Sequence, residues 1–225
     1  MEMGEVTILL PAYNEEEAIG RVIDEVREVM PYCQILVAYT PSSDETENIV
    51  VWKKVPMITV PSRGKGTAVD RGLKFIKTDY IIMLNSDFTY PAQYLAVIYQ
   101  VLTKSGADVV LGYRAIKEKD SMPLLNSLGN WALSLLASVL YRKRVYDVCT
   151  GMWGFRTEAL RKFQLTSQGF TLEADFFINS IRNKLKVEQI PIAYRKRLGT
   201  SRPKLKLQDG LKIGWFLVKR RFTWS

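Results

Sequence analysis

Histidine is absent from all 225 residues. That removes imidazole general bases, serine–histidine triads and histidine-ligated zinc from the chemistry open to this chain. Cysteine is scarce: Cys33 and Cys149 stand alone, with no metal or redox spacing, as in proteins of a reducing compartment. Acidic charge is outnumbered, 23 Asp and Glu against 32 Lys and Arg, for a net charge of +9. Such a balance suits nucleic acid, anionic lipid or phosphorylated substrates, and position along the chain must choose among them. No repeat or low-complexity linker interrupts the sequence, and its length fits one domain with a full core or one domain with a short appendage. The opening Met1-Glu2-Met3-Gly4-Glu5 is acidic and does not read as a secretory leader.

What is present alternates. Val6–Leu10, Ile35–Tyr39, Met57–Val60, Tyr80–Leu84 and Asp108–Gly112 are short apolar runs of strand length. Between them lie helical patterns: Glu15 to about Met30, with Ile19, Val22, Ile23 and Val26 on one face; a helix capped by Ser43 or Asp44; Thr67 to Lys77; and Pro91 to about Lys104. Strands alternating with helices predict an α/β fold with a mostly parallel, doubly wound sheet.

Two turns carry candidate chemistry. Tyr80–Leu84 ends at Asn85-Ser86-Asp87, and open α/β sheets bind ligands just past such strand ends. A carboxylate there can hold a hard divalent cation and, through it, a diphosphate; it can equally cap the turn. Arg63-Gly64-Lys65-Gly66 is a glycine-flanked basic turn entering a helix, able to bring backbone N–H groups to phosphate. Its spacing is not that of a Walker A loop, and a glycine turn chosen for backbone geometry alone is the competing reading.

The order of the pieces adds specificity. Pro11-Ala12-Tyr13-Asn14-Glu15-Glu16, Ser42-Ser43-Asp44-Glu45-Thr46, Gly64-Lys65-Gly66-Thr67-Ala68 and the Asp87 turn together resemble the family 2 inverting glycosyltransferases of the GT-A fold. Gly151-Met152-Trp153-Gly154-Phe155-Arg156, Leu172-Glu173-Ala174-Asp175, Pro191-Ile192-Ala193-Tyr194 and Arg197-Leu198-Gly199-Thr200-Ser201 resemble the polyprenyl-phosphate branch, which includes dolichyl-phosphate mannose and glucose synthases. The resemblance implies a GT-A catalytic domain over 1–201 and a basic amphipathic tail over 202–225. It also implies transfer of a hexose from a UDP- or GDP-sugar to dolichyl phosphate with the help of Mg2+ or Mn2+. By the same resemblance Pro11, Ala12, Tyr13, Glu15, Tyr39, Lys65, Ser86 and Asp87 bind the donor, and Asp87 with Asn85 holds the metal. Arg114, with Arg197 or Ser201, steadies the acceptor phosphate or the diphosphate, with Asp87, Arg114 and Arg197 as catalytic groups; Gly151, Trp153, Glu173 and Asp175 line the sugar pocket. Two positions depart from the family pattern: Tyr39-Thr40 stands where acidic or amide residues usually hold the nucleoside, and Asn85 replaces the first carboxylate of the metal turn.

The reaction so implied needs no general base, since a lipid phosphate is already ionised near neutral pH. A histidine-free chain is compatible with it. Met122 to Tyr141 has no charged residue, which is near the minimum for a membrane span. Ser127, Asn130, Ser134 and Ser138 recur at helical spacing opposite Leu128, Leu135, Leu136 and Val139, predicting an amphipathic helix at the bilayer interface or against the domain. Arg142-Lys143-Arg144 follows it, and the tail interleaves Lys204, Lys206, Lys212, Lys219, Arg220 and Arg221 with Trp215, Phe216, Phe222 and Trp224. Basic residues beside aromatics predict a membrane-interface tail, with a packed terminal helix carrying a solvated basic face as the competing reading, and the resemblance implies peripheral placement at the cytoplasmic face; no reader motif for nucleic acid is present. Two other readings stay open at this point: transfer to another lipid- or protein-linked acceptor, and a non-catalytic nucleotide-sugar or lipid-surface binding protein. The sugar, the base and the oligomeric state are open as well.

Overall fold

A computed structural model describes residues 5–61, 64–199 and 207–223. The first strands are built from β-branched and leucine-rich runs that bury both faces: Ile8, Leu9 and Leu10 of β1 (Val6–Ala12) are all fully buried. Side chains alternate across a strand, so Ile8 and Leu10 join one core layer and Leu9 the other. Truncating Leu9 to alanine costs about 2–5 kcal/mol at such a site.

β1 pairs in parallel with β2 (Gln34–Tyr39) and β4 (Tyr80–Leu84), and β2 pairs with β3 (Met57–Thr59). The sheet is completed by β5 (Val109–Lys117), β6 (Met152–Arg156) and β7 (Val187–Tyr194), in the order β3-β2-β1-β4-β6-β5-β7. β6 is antiparallel to both neighbours, while the other pairings are parallel. The chain winds from β1 outward through β2 and β3, then returns to place β4 on the other side of β1. The carboxyl ends of β1 and β4 therefore flank the point where strand order reverses, which opens a crevice in sheets of this kind.

Helices cover both faces. α1 (Ile19–Val29), α2 (Thr46–Trp52) and α4 (Gln93–Lys104) close one core layer. α3 (Lys65–Leu73), α5 (Leu124–Tyr141), the short α6 (Thr157–Leu160), α7 (Leu172–Arg182) and α8 (Leu207–Phe222) close the other. Ile213 and Leu217 of α8 are buried in that second layer, and the Tyr141 hydroxyl donates to the Leu217 carbonyl at 2.9 Å.

Some boundaries move. α1 begins at Ile19 rather than Glu15, because residues 15–18 form a turn in which Ala18 and Ile19 both donate to the Glu15 carbonyl. β5 does not stop at Gly112: pairing with β7 carries it to Lys117, so Arg114 lies within the strand, just before a register shift. α5 ends at Tyr141 as predicted but begins at Leu124 rather than Met122, because the chain ahead of it is extended at Pro123, and its polar stripe faces inward. Ser134 Oγ accepts from Val148 N and Ser138 Oγ from Val145 N, both at 3.0 Å. The apolar stripe faces outward: Leu124 is 85% exposed, and Leu128, Trp131, Leu135 and Val139 are also exposed. By length and composition α5 is sufficient to cross a bilayer, and only a small part of it is buried against the domain.

Candidate active site

The loop after β1 is tied to the loop after β2 by polar contacts that leave its backbone little freedom. Glu15 N donates to Thr46 Oγ1 at 2.8 Å, Asn14 N to Ser42 Oγ at 2.9 Å, and Glu16 N to Asp44 Oδ2 at 3.1 Å. Asp44 also accepts from the Thr46 N–H at 3.2 Å, the first residue of α2, as an acidic residue at a helix start should. Ser86 Oγ donates to the Pro11 carbonyl at 2.8 Å, joining the β1 and β4 ends directly.

Asp87 sits on that junction and is buried. Its Oδ1 accepts from Thr89 N at 3.1 Å and Thr89 Oγ1 at 2.6 Å. Its Oδ2 accepts from Arg197 Nη2. The next residue, Phe88, has a φ of 66°, a region disfavoured for a bulky side chain and found where surrounding contacts hold it. The holder is Arg195. Its guanidinium lies 3.7 Å from the Phe88 ring centroid, Nε donates to the Phe88 carbonyl at 3.1 Å, and Nη1 and Nη2 each reach Glu25 at 2.8 Å.

A cleft of about 510 Å³ opens over this junction. Pro11, Ala12, Tyr13, Glu15, Lys65, Asn85, Ser86, Asp87, Arg114, Glu173 and Arg197 all line it, so most of the predicted site residues converge. Lys65 Nζ donates to Asn85 Oδ1 at 2.6 Å and pairs with Glu173. Gly64 and Gly66 have a packing reason: a Cβ on either would collide with the backbone of residues 167–168.

Other predicted positions fall elsewhere. Trp153 is fully buried, with its indole Nε1 donating to the Thr150 carbonyl at 2.7 Å and its ring stacked near Phe155. Asp175 is fully buried away from the cleft, accepting from Thr166 N at 2.6 Å and Ser167 N at 2.9 Å. Burial pushes its carboxyl above the usual range, against those N–H bonds and the Arg220 charge. Gly151 does not line the cleft; it makes room for Asn85, whose side chain a Cβ there would strike. Tyr39 points into the core, its hydroxyl accepting from Ser42 N at 2.9 Å, and Thr40 lines the cleft in its place. Ser201, Arg63, Lys204, Lys206 and Trp224 lie outside the described residues.

Sequence reasoning overlooked Asp147. Arg114 Nε and Nη2 reach its two oxygens at 2.6 and 2.7 Å, and Arg114 N adds a third bond at 3.2 Å. Burial alone would raise the Asp147 carboxyl, but the Arg114 charge and hydrogen bonds outweigh it and hold it below the usual range. The only hint in sequence was an acid among the apolar residues between α5 and β6. Tyr90 was also overlooked; it lines the cleft, accepts from Gly151 N at 2.7 Å, and has its phenol pushed well up by burial. Cys149 lines the cleft as a free thiol raised by burial, and so is a poor nucleophile.

Among the described residues no group of three or more His, Cys, Asp or Glu is placed to cage a metal ion. One or two carboxylates completed by substrate phosphates is, however, the ordinary way Mg2+ is held. Asp87 Oδ2 and Asn85 Oδ1, each now paired with a cationic side chain at the cleft, Arg197 and Lys65, are oxygen donors of the type that fits a cation shared with a diphosphate.

Residues 7–163 match the family described as glycosyl transferase family 2. The chain is 30% identical over 215 residues to a dolichyl-phosphate hexose transferase of Haloferax volcanii, covering 96% of this chain and 93% of that one. It is 23% identical over 212 residues to an undecaprenyl-phosphate mannosyltransferase of Micrococcus luteus, covering 88% and 86%. Among solved structures, glucosyl-3-phosphoglycerate synthase of Mycobacterium tuberculosis, in complex with Mn2+, UDP and glucosyl-3-phosphoglycerate, superposes with a TM-score of 0.78 at 20% identity. That likeness covers 96% of this chain and 79% of the other, and the shared fold is GT-A.

Proposed function

The chain belongs to glycosyl transferase family 2, and from that premise we propose that it moves a hexose, with inversion, from a UDP- or GDP-sugar to dolichyl phosphate at the cytoplasmic face of a membrane. The observation that carries this reading is the continuity of the cleft. It runs from Asp87 past Arg114 to Met122, Leu125, Gly129 and Leu133, beside the outward apolar stripe of α5. A phosphate on an isoprenoid chain has the matching anatomy, a charged head and a long apolar tail.

Each residue then has a task. The backbone of Pro11–Tyr13 and the Lys65 ammonium face the donor. Asp87, with Asn85 also on the cleft wall, would hold Mg2+ or Mn2+, which supplies charge neutralisation for the departing diphosphate. Asp147 occupies Nε and Nη2 of Arg114 and so fixes the plane of its guanidinium, whose Nη1 end is uncommitted to that carboxylate. A planar fork of this kind suits phosphate oxygens. No residue has to take a proton, because the attacking phosphate oxygen is already anionic; orientation and charge stabilisation supply the rate.

The outward face of α5 and the exposed Leu211, Trp215 and Phe222 of α8 support docking on a bilayer surface, with the exposed Arg142, Lys143, Lys212 and Lys219 on the same two helices or just past their ends to meet anionic headgroups. Exposed apolar surface on this scale needs a partner. The test is release of UDP or GDP from nucleotide sugars by the purified chain, with and without vesicles containing dolichyl phosphate. Release that depends on dolichyl phosphate and a divalent cation is expected. Binding of nucleotide sugar with no release under any lipid condition would overturn the assignment.

A further inference from the structure

Two arginines two residues apart, at the end of β7, meet the Asp87 turn in different ways. Arg195 has its guanidinium fully engaged by Glu25, the Phe88 carbonyl and the Phe88 ring. Arg197 does not. Its Nη2 takes the one Asp87 oxygen that Thr89 leaves open, and its Nη1 is buried without a hydrogen bond, 3.6 Å from Glu15 Oε1.

We propose that Arg197 holds, in the ligand-free protein, the place on Asp87 that a divalent cation takes, and gives it up only when a diphosphate arrives. The inference rests on the reading of Asp87 as the metal carboxylate. Thr89 N and Oγ1 already occupy Asp87 Oδ1, so arginine and cation compete for Oδ2. Two positive groups on one oxygen at a buried site repel strongly, since little water screens them. A diphosphate removes the conflict. Its oxygens offer Arg197 a planar partner, satisfy the unbonded Nη1, and complete the cation's coordination.

The motion required is small. Gly199, at φ 66°, sits where a side chain would strike the Glu17 carboxylate, so the loop carrying Arg197 is packed on the loop after β1. Only the Arg197 side chain has to swing. The consequence is reciprocal: the cation should tighten the nucleotide as much as the nucleotide tightens the cation.

Mn2+ binding to the full chain, followed by loss of the free-ion paramagnetic resonance signal beyond that caused by the same nucleotide without protein, reads this. Wild type is expected to bind Mn2+ weakly alone and about tenfold or more tightly with UDP or GDP present. Arg197→Gln should bind nucleotide-free Mn2+ about fivefold or more tightly than wild type, with a smaller nucleotide-induced gain. Lys196→Gln removes the same charge from an exposed neighbour that does not touch Asp87, and is expected to stay within about twofold of wild type. The proposal is overturned if folded Arg197→Gln gains no Mn2+ affinity, or if Lys196→Gln gains as much. Should Arg197→Gln fail to fold, wild type still decides, because absence of a nucleotide-induced gain overturns the proposal on its own. If Mn2+ binds in no condition, with or without nucleotide, the metal reading of Asp87 falls together with it.

Discussion

The two sides of the cleft are made of different material. One side is strand ends and ion pairs: the Asp87 turn after β4 with Arg197, Lys65 and Glu173 at the starts of α3 and α7, and the backbone of Pro11–Tyr13 at the end of β1. The other is a loop and a helix, where Met122, Leu125, Gly129 and Leu133 line the cleft with few charges and the helix turns its polar stripe inward. Arg114 and its partner Asp147 stand on the boundary. The difference teaches that charge is handled where strand ends and helix starts converge, and that the apolar partner is met where one helix face is left bare. Substitutions on the two sides should therefore fail in different assays.

The largest effect is expected at the charged side. Asp87→Ala should lower transfer by on the order of 10³ or more while leaving the circular dichroism spectrum unchanged. Wild-type turnover in that variant would erase the distinction between the two sides. At the boundary, Asp147→Ala strands a buried guanidinium and should cost about 3–5 kcal/mol, read as a fall in urea midpoint. Its pH dependence has a definite sign. Asp147 has a depressed carboxyl in the folded chain, so its contribution is complete above the unfolded carboxylate value of about 3.9 and is lost as pH falls below it. The stability gap between wild type and Asp147→Asn should narrow over that window.

On the apolar side, Leu128→Ser with Trp131→Ser should reduce binding to anionic vesicles about tenfold or more, since each side chain loses burial worth about 1.5–3 kcal/mol. Neither residue lines the cleft, so nucleotide binding in the absence of vesicles should be unchanged. Loss of nucleotide affinity in this pair would mean that the two sides are not separable. The smallest effect sharpens the contrast. Asp24→Asn breaks the Lys53–Asp24 pair at the surface and should cost less than about 1 kcal/mol, against several for the buried Arg114–Asp147 pair.

Much of this arrangement is legible in sequence where one periodicity dominates. β1, β2 and β4 are apolar runs bounded by turn residues, and the structure keeps them nearly as read. β6 and β7 are harder. Gly154 breaks the apolar run of β6 because Ile98 packs where its side chain would be, and Pro191 interrupts β7. Glu173 and Asp175 show what a local pattern omits. Two residues apart on a helix point about 200° away from each other, so only one can face the cleft. The structure gives that place to Glu173 and uses Asp175 to tie residues 166–167 to α7. The inward polar stripe of α5 was visible as a stripe, but its direction depends on backbone N–H groups of Val145 and Val148 that need acceptors. Sequence spacing carries no trace of them. Asp147 escaped for a similar reason, since its value lies in a partner 33 residues away.

Crystals soaked with Mn2+ and UDP or GDP, with data collected at the manganese absorption edge, test the central claim most directly. The account predicts anomalous density against Asp87 Oδ2, with diphosphate oxygens completing its shell and the Arg197 guanidinium turned from the carboxylate onto phosphate. Manganese or diphosphate bound elsewhere, with the Arg197–Asp87 pair intact, would contradict it.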